Sequence, residues 1–320
     1  MALLPSTRGA HHKKMNPPRS PAHAGDQGVH ARQFLSVIKQ SIKWKSGFDM
    51  GKEMKQFRMM AAMLGTVVAL SACGGDDNVL DAANVLGLAA PQMYFENATP
   101  GNNTSYDLLV DGAALGGETA ITYPVFTGFN DIKTGAHTIA FAQAGTTTAL
   151  ASGSFGDAAK GHNYTAIALG DTTGPAIGLI DDPFGSLPSN DRVRAFNASA
   201  NAQNLDIYIV APGTDVTASS VTPKLAGVAF KNAVPASGQD STALADGTYV
   251  IVATLAGSKT PIFQSTQFSV SNNADVLLTT VPITGQSSPL QPGQIHVLLA
   301  LKKQTDNKAA SELINTLTNQ

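Results

Sequence analysis

Gly135-Ala136-His137-Thr138-Ile139-Ala140-Phe141 sets Ile139 and Phe141 on one face of an extended chain and Thr138 and Ala140 on the other. That two-residue period is the mark of a half-buried strand. The block returns as Gly247-Thr248-Tyr249-Val250-Ile251-Val252-Ala253, and the Ala144-Gly145 behind it returns as Ala256-Gly257. Upstream, Asp107-Leu108-Leu109-Val110 recurs as Asp206-Ile207-Tyr208-Ile209, and Asn97-Ala98-Thr99 as Asn197-Ala198-Ser199. Four blocks keep their order, so the chain is expected to carry two homologous domains.

Each copy reads as short strands between turn signals such as Pro100-Gly101, Asp111-Gly112, Pro212-Gly213 and Asp246-Gly247. The first copy predicts strands at 92–98, 105–111, 121–126, 136–142, 148–155, 163–169 and 176–181. The second predicts them at 192–198, 204–210, 227–232, 248–254, 260–270, 274–281 and 294–301. The expected fold class is all-β, as two tandem immunoglobulin-like β-sandwich domains at 91–184 and 190–303, with a small barrel as the competing architecture. The short joint Asp182-Pro183-Phe184-Gly185-Ser186-Leu187-Pro188 implies that the two touch. In the polar tail, 304–320, the spacing of Leu313, Ile314 and Leu317 predicts a short helix.

The head of the chain reads as a targeting segment. Met54-Lys55-Gln56-Phe57-Arg58 is a short basic stretch, and the run from Met59 to Leu70 is apolar and uncharged. Leu70-Ser71-Ala72-Cys73 closes it. Charge, apolar run and small residues in that order describe a secretory signal, and the run is too short to span a bilayer comfortably. Leu70-Ser71-Ala72-Cys73 resembles the lipobox of bacterial lipoproteins at all four positions. The resemblance implies cleavage before Cys73, a diacylglycerol on its thiol and an acylated amine. Two or more acyl chains hold a protein stably on a membrane. Residues 54–72 would then be the signal peptide, and 73–90 the lipidated cysteine and a linker, whose apolar stretch from Val79 to Leu88 suits a helical turn or two. Gly74 and Gly75, with acidic residues delayed to Asp76 and Asp77, favour the outer membrane of a Gram-negative cell. Residues 1–53, rich in His, Pro, Lys and Arg, read as a mis-assigned start, with a disordered extension as the alternative.

The formal charge of -2 conceals a split. Up to Arg58 there are 11 Lys and Arg against 3 Asp and Glu; after Cys73 there are 10 against 20. An acidic body argues against nucleic acid and against docking on anionic lipid. Cys73 is the single cysteine, so an intrachain disulfide and a cysteine-based zinc site are both excluded.

The paired blocks, together with Asn163-Tyr164-Thr165-Ala166-Ile167-Ala168-Leu169-Gly170, are similar to domain of unknown function 4397, a family of bacterial envelope and secreted proteins. The resemblance covers Gln92 to about Lys302 and implies location and architecture, with no activity. The second copy departs from it, with Ala274-Asp275-Val276 in place of Asn163-Tyr164-Thr165.

The body offers no residues assignable as catalytic, cofactor-binding or metal-ligating. It has no Gly-x-Ser-x-Gly elbow, Ser-x-x-Lys pair or phosphate-cradling loop, and His137, His162 and His296 show no metal-ligand spacing. Asp181 and Asp182, adjacent on a strand, point opposite ways and form no acid/base pair; their oxygens near the joint are of the kind that binds calcium, but no EF-hand spacing accompanies them. Asp107 and Asp206, at equivalent places, suggest a role in bonding turn backbone. Tyr106, Tyr123, Phe126 and Phe129 form the one aromatic group that would serve sugar stacking if exposed. Asn97-Ala98-Thr99 and Asn197-Ala198-Ser199 match a glycosylation triplet by coincidence. The expectation is therefore a non-enzymatic envelope lipoprotein. Its partners would be the bilayer, through acyl groups on Cys73, and an envelope protein met by loops or an edge strand. The alternative is a surface glycan-binding or adhesion module.

Overall fold

The computed structural model describes residues 83, 86–101, 104–116, 118–171, 174–183, 191–202, 204–271, 274–283, 295–302 and 310–317. The expected signal segment, Cys73 and most of the expected linker lie outside them. What is described is almost wholly strand, in two-sheet sandwiches.

The first sandwich is built from β1 (Gln92–Asn97), β2 (Tyr106–Val110), β3 (Ala113–Ala114), β4 (Asn130–Asp131), β5 (Gly135–Gln143), β6 (Ala149–Ala158), β7 (His162–Asp171) and β8 (Gly174–Pro183). One sheet runs β4-β1-β7-β8 and the other β3-β2-β5-β6. Strand β1 lies parallel to β7, Gln92 opposite Asn163 and Asn97 opposite Ala168. Met93, Phe95, Leu108, Ile139, Phe141, Tyr164 and Ala166 fill the space between the sheets.

The second sandwich comprises β9 (Asp191–Asn197), β10 (Asn204–Val210), β11 (Leu225–Ala229), β12 (Ala233–Val234), β13 (Thr242–Leu244), β14 (Gly247–Leu255), β15 (Pro261–Gln264), β16 (Phe268–Val270), β17 (Asp275–Pro282), β18 (Ile295–Lys302) and β19 (Ala310–Glu312). Its sheets are β12-β9-β17-β18-β19, with β13 also on β9, and β11-β10-β14-β15, with β16 also on β14. The parallel pairing recurs: β9 lies along β17, Arg192 opposite Asp275 and Asn197 opposite Thr280.

The sheets containing β1 and β9 pack face to face, making four layers. Tyr94, Ile167, Leu169 and Ile180 from one side meet Phe196, Leu277, Val281 and Leu298 from the other in a continuous apolar layer. Strands β1 and β9 are consequently buried along their whole length, on both faces. Gly178 of β8 lies at this layer because a Cβ there would sit 2.2 Å from the ring of Phe196.

Three expectations are corrected. Residues 121–126 are not a strand. Ile121 bridges to Tyr106 on one sheet and Phe126 to Glu96 on the other, so the segment crosses between layers, and Pro124 has no N–H to give a ladder. Residues 260–270 divide into β15 and β16 at Ser265, whose Oγ accepts the Ile251 N–H at 2.9 Å in place of a regular ladder bond. The C-terminal helix is a strand instead. Residues 310–312 pair with β18, Leu313 is buried and Ile314 is 69% exposed, an alternation imposed by the open edge of β18.

Candidate functional site

The repeated acidic and amide residues are turn builders. Asp107 Oδ1 accepts the Ala120 N–H at 2.7 Å and its Oδ2 the Gly145 N–H at 2.8 Å. Asp206 does the same for Gly227 at 2.8 Å and Gly257 at 2.9 Å. Asn97 Oδ1 accepts the Thr99 N–H at 3.1 Å, and Asn197 Oδ1 the Ser199 N–H at 2.9 Å. The Asn-x-Thr/Ser triplet is thus a buried turn motif in both places.

The other singled-out residues are dispersed. His137 Nδ1 lies 2.8 Å from Asp111, His162 Nδ1 lies 2.7 Å from Asp181, and His296 pairs with Glu312. Burial pulls the His137 imidazole down most strongly, but its bonds with Asp111 and the Lys133 carbonyl and the Asp111 charge together outweigh that and leave its pKa raised. Among the described residues no group of three or more His, Cys, Asp or Glu is placed to hold a metal ion. The aromatic group does not assemble on the surface. Tyr106 sits in the first core, its ring 5.0 Å from Phe141, and Phe126 stacks on Tyr94 at 5.3 Å inside the layer between sandwiches. Tyr123 and Phe129 are half-buried against that layer, and the Tyr123 hydroxyl donates to Glu312 at 2.9 Å.

The strongest concentration of charge is one that sequence reading missed, at one end of the layer between the sandwiches. Asp182 of β8 is fully buried. Its Oδ1 is 2.8 Å from Arg192 and 2.9 Å from Arg194 on β9, and its Oδ2 is 2.8 Å from Lys302 on β18. Ser241 adds a hydrogen bond at 3.1 Å. Asp275 lies 3.2 Å from Lys302 and Asp240 lies 3.2 Å from Arg192, so cations and carboxylates roughly balance. Arg194 also donates to the carbonyls of Pro235, Ala236 and Gln239. Burial alone would raise the Asp182 carboxyl, yet Lys302, Arg192 and Arg194 together hold it well below the usual range. Both carboxylate oxygens are spent on side-chain cations, leaving nothing for a calcium ion. Sliding one sheet over the other would strand a charge in a dry layer, so the cluster sets how the sandwiches sit. The signal for it was Arg192 and Arg194, two residues apart on a strand whose alternate positions are apolar.

Deeper in the same layer lies Glu96 of β1, also fully buried. Thr279 of β17 donates to its Oε2 at 2.6 Å, and its Oε1 has no hydrogen-bond partner among the described residues. Burial lifts this carboxyl to about 7, against the smaller opposing pull of Thr279 and Lys302. Each carboxylate is sealed from solvent and accepts from a hydroxyl, Ser241 on Asp182 and Thr279 on Glu96. It is a joint.

Residues 91–208 match the family model described as Domain of unknown function (DUF4397). The match runs from just before β1 through the first sandwich to Tyr208 in β10. The Asp107 and Asn97 turns described above fall inside it, as do Asp182, Arg192 and Arg194. No curated protein matches the chain.

Proposed function

We propose that this chain is a cell-envelope lipoprotein, cleaved before Cys73 and held by acyl groups on that residue, in which two tandem copies of the DUF4397 domain serve a non-enzymatic structural or protein-interaction role. The observation that carries it is Leu70-Ser71-Ala72-Cys73 directly behind a basic stretch and an uncharged apolar run. The delayed acidic residues Asp76 and Asp77 favour the outer membrane. The tandem reading is supported by the parallel first strand in each sandwich and by the matching bonds of Asp107 and Asp206. A non-enzymatic role agrees with the site's chemistry, since its most perturbed carboxylates are sealed between sheets away from any substrate. The glycan alternative loses support because Tyr106 and Phe126 are interior.

The test is the intact mass of the protein extracted from its native membrane, beside a Cys73→Ala control. The mass expected is that of residues 73–320 plus acyl groups, with the control unprocessed. A mass that keeps the upstream residues and lacks lipid refutes the anchor.

A further inference from the structure

The two sandwiches differ at one lateral edge. In register terms β8 and β18 are counterparts: Asp182 lies opposite Asn163, which lies level with Gln92, and Lys302 lies opposite Asp275, which lies level with Arg192. The outer edge of β18 is covered by the chain's own C-terminal segment. Leu298, Leu299 and Ala300 pair with Glu312, Ser311 and Ala310, and the Leu313 N–H donates to the Val297 carbonyl at 2.8 Å. The segment then crosses to the other sheet, where Thr316 donates to Gln264 at 2.7 Å.

Strand β8 has no such cover among the described residues. Its Asp181 turns main-chain groups away from β7, the N–H to Ser237 Oγ at 2.8 Å and the carbonyl to Gly238 at 2.8 Å. Alternation along a strand turns the N–H and C=O of Ile177 and Leu179 the same way, and β8 pairs only with β7. The side chains of those two residues point inward, where Leu179 Cδ1 comes within 2.7 Å of a Cβ built on Gly153 of β6. Pro175, without an N–H, and Asp181, already bonded, bound the open stretch to residues 176–180. An exposed edge of this kind is a template for another strand unless charge or proline blunts it.

We propose that residues 176–180 of β8 accept an extended segment of another polypeptide, added antiparallel as β19 is added to β18. The proposal rests on the protein-interaction reading above and names its site. The chemistry of the edge selects the occupant. Residues 149–156 of the neighbouring β6 and 174–180 of β8 carry no charged side chain. Where β18 presents His296 to Glu312, β8 presents Ala176 at the corresponding position. A charged residue in the occupant therefore finds no partner, and the segment that fits is uncharged, of small and apolar residues. The acidic body, 10 Lys and Arg against 20 Asp and Glu after Cys73, sets a second copy at a disadvantage.

The test uses two synthetic peptides as probes on the full chain: residues 310–317, and the same peptide with Glu312→Ala. Binding is read by fluorescence anisotropy and located by hydrogen exchange. The neutral peptide is expected to saturate, to slow exchange over residues 176–180, and to bind about tenfold more tightly than the acidic one. Ile177→Pro removes the outward N–H, together with an inward side chain packed on the first core, and is expected to weaken binding about tenfold. The exchange map of the unaltered chain keeps the test independent of that variant's folding. No added protection at 176–180, protection there before any peptide is added, or equal binding of the two peptides overturns the proposal. The interaction reading fails separately, if photo-crosslinkers at Ala176 and at Thr214 of an opposite loop both yield no adduct in intact envelope. Adducts at Thr214 alone overturn the edge and leave that reading standing.

Discussion

Replacing Glu96 by Gln should abolish a slice of the protein's pH-dependent stability. The carboxyl is fully buried between the sandwiches, holds one hydrogen bond from Thr279, and leaves Oε1 unpartnered. Its pKa stands at about 7 in the folded chain against 4.5 for an ordinary glutamate. Each pH unit of displacement corresponds to about 1.4 kcal/mol, so ionising Glu96 in place costs about 3 kcal/mol more than ionising it unfolded. The sign follows from which state keeps the proton. Below 4.5 both states are protonated and Glu96 adds no slope. Between 4.5 and about 7 the unfolded chain gives up its proton while the folded chain holds it, so stability falls as pH rises. Above that range both are ionised and the full penalty applies. The assay is urea denaturation of wild type and Glu96→Gln at half-unit steps from pH 4 to 8.5. Other titrating groups cancel in the difference between the two chains. The Gln variant should gain about 3 kcal/mol on wild type across that interval, whatever their offset at pH 4. Curves that stay parallel to within about 0.5 kcal/mol would refute the reasoning.

Asp182→Asn removes the one carboxylate among the described residues that meets Arg192, Arg194 and Lys302 together, and should cost about 3–5 kcal/mol by denaturant titration, because Arg194 is left fully buried without a carboxylate while Arg192 and Lys302 keep only Asp240 and Asp275. Gly178→Ala drives a methyl to within 2.2 Å of the Phe196 ring and should cost about 1–3 kcal/mol; adding Phe196→Leu should recover part of that, whereas two additive losses would place the strain elsewhere. Ala120 holds φ 53° at the turn bonded by Asp107, where the counterpart bonded by Asp206 is Gly227 at φ 68°, so Ala120→Gly should leave stability unchanged or raise it by up to about 1 kcal/mol in thermal unfolding. His137 should titrate above 6.5 by NMR; its protonated pair with Asp111 contributes below 6.5 and is lost as pH rises through the folded value, so Asp111→Asn should bring the midpoint down.

Much of the fold was legible because strands that border one core keep a two-residue period. Residues 136–142 and 248–254 were placed by alternation, and Asp107 and Asp206 were read as turn builders because they recur at matching positions. The errors share a cause in neighbours that a single strand does not reveal. Nothing within the single strand marks Arg192 and Arg194 as buried, since charges alternating with Val193 and Ala195 usually point to water. Here that face is covered by a second sandwich, and the charges are answered by Asp182 from before the joint and Lys302 from the far end of the chain. The burial of Glu96 is hidden from its own strand in the same way. Leu313, Ile314 and Leu317 have helical spacing, but an open strand edge within reach outweighs the weak preference of so short a segment. The proposed anchor is the opposite case: its grammar is entirely in residues 54–73 and owes nothing to tertiary contacts.

The internal joint also narrows where a partner can act. The broadest apolar surfaces of the two sandwiches face each other and are closed by Asp182 and its cations, so the face of neither sheet is available without separating them. Separation would expose Glu96, Phe196 and the charge cluster at once, and truncating one side of such a cluster is costly even in place. Loops, lateral edges and the outer faces of the four-layer stack remain for a partner, and none of them needs a rearrangement of the layers. Of the two corresponding edges, β18 is filled by residues 310–312 and tied to the first sandwich by the Tyr123 bond to Glu312. That leaves β8, where the proposed strand addition uses main-chain groups and tolerates many sequences.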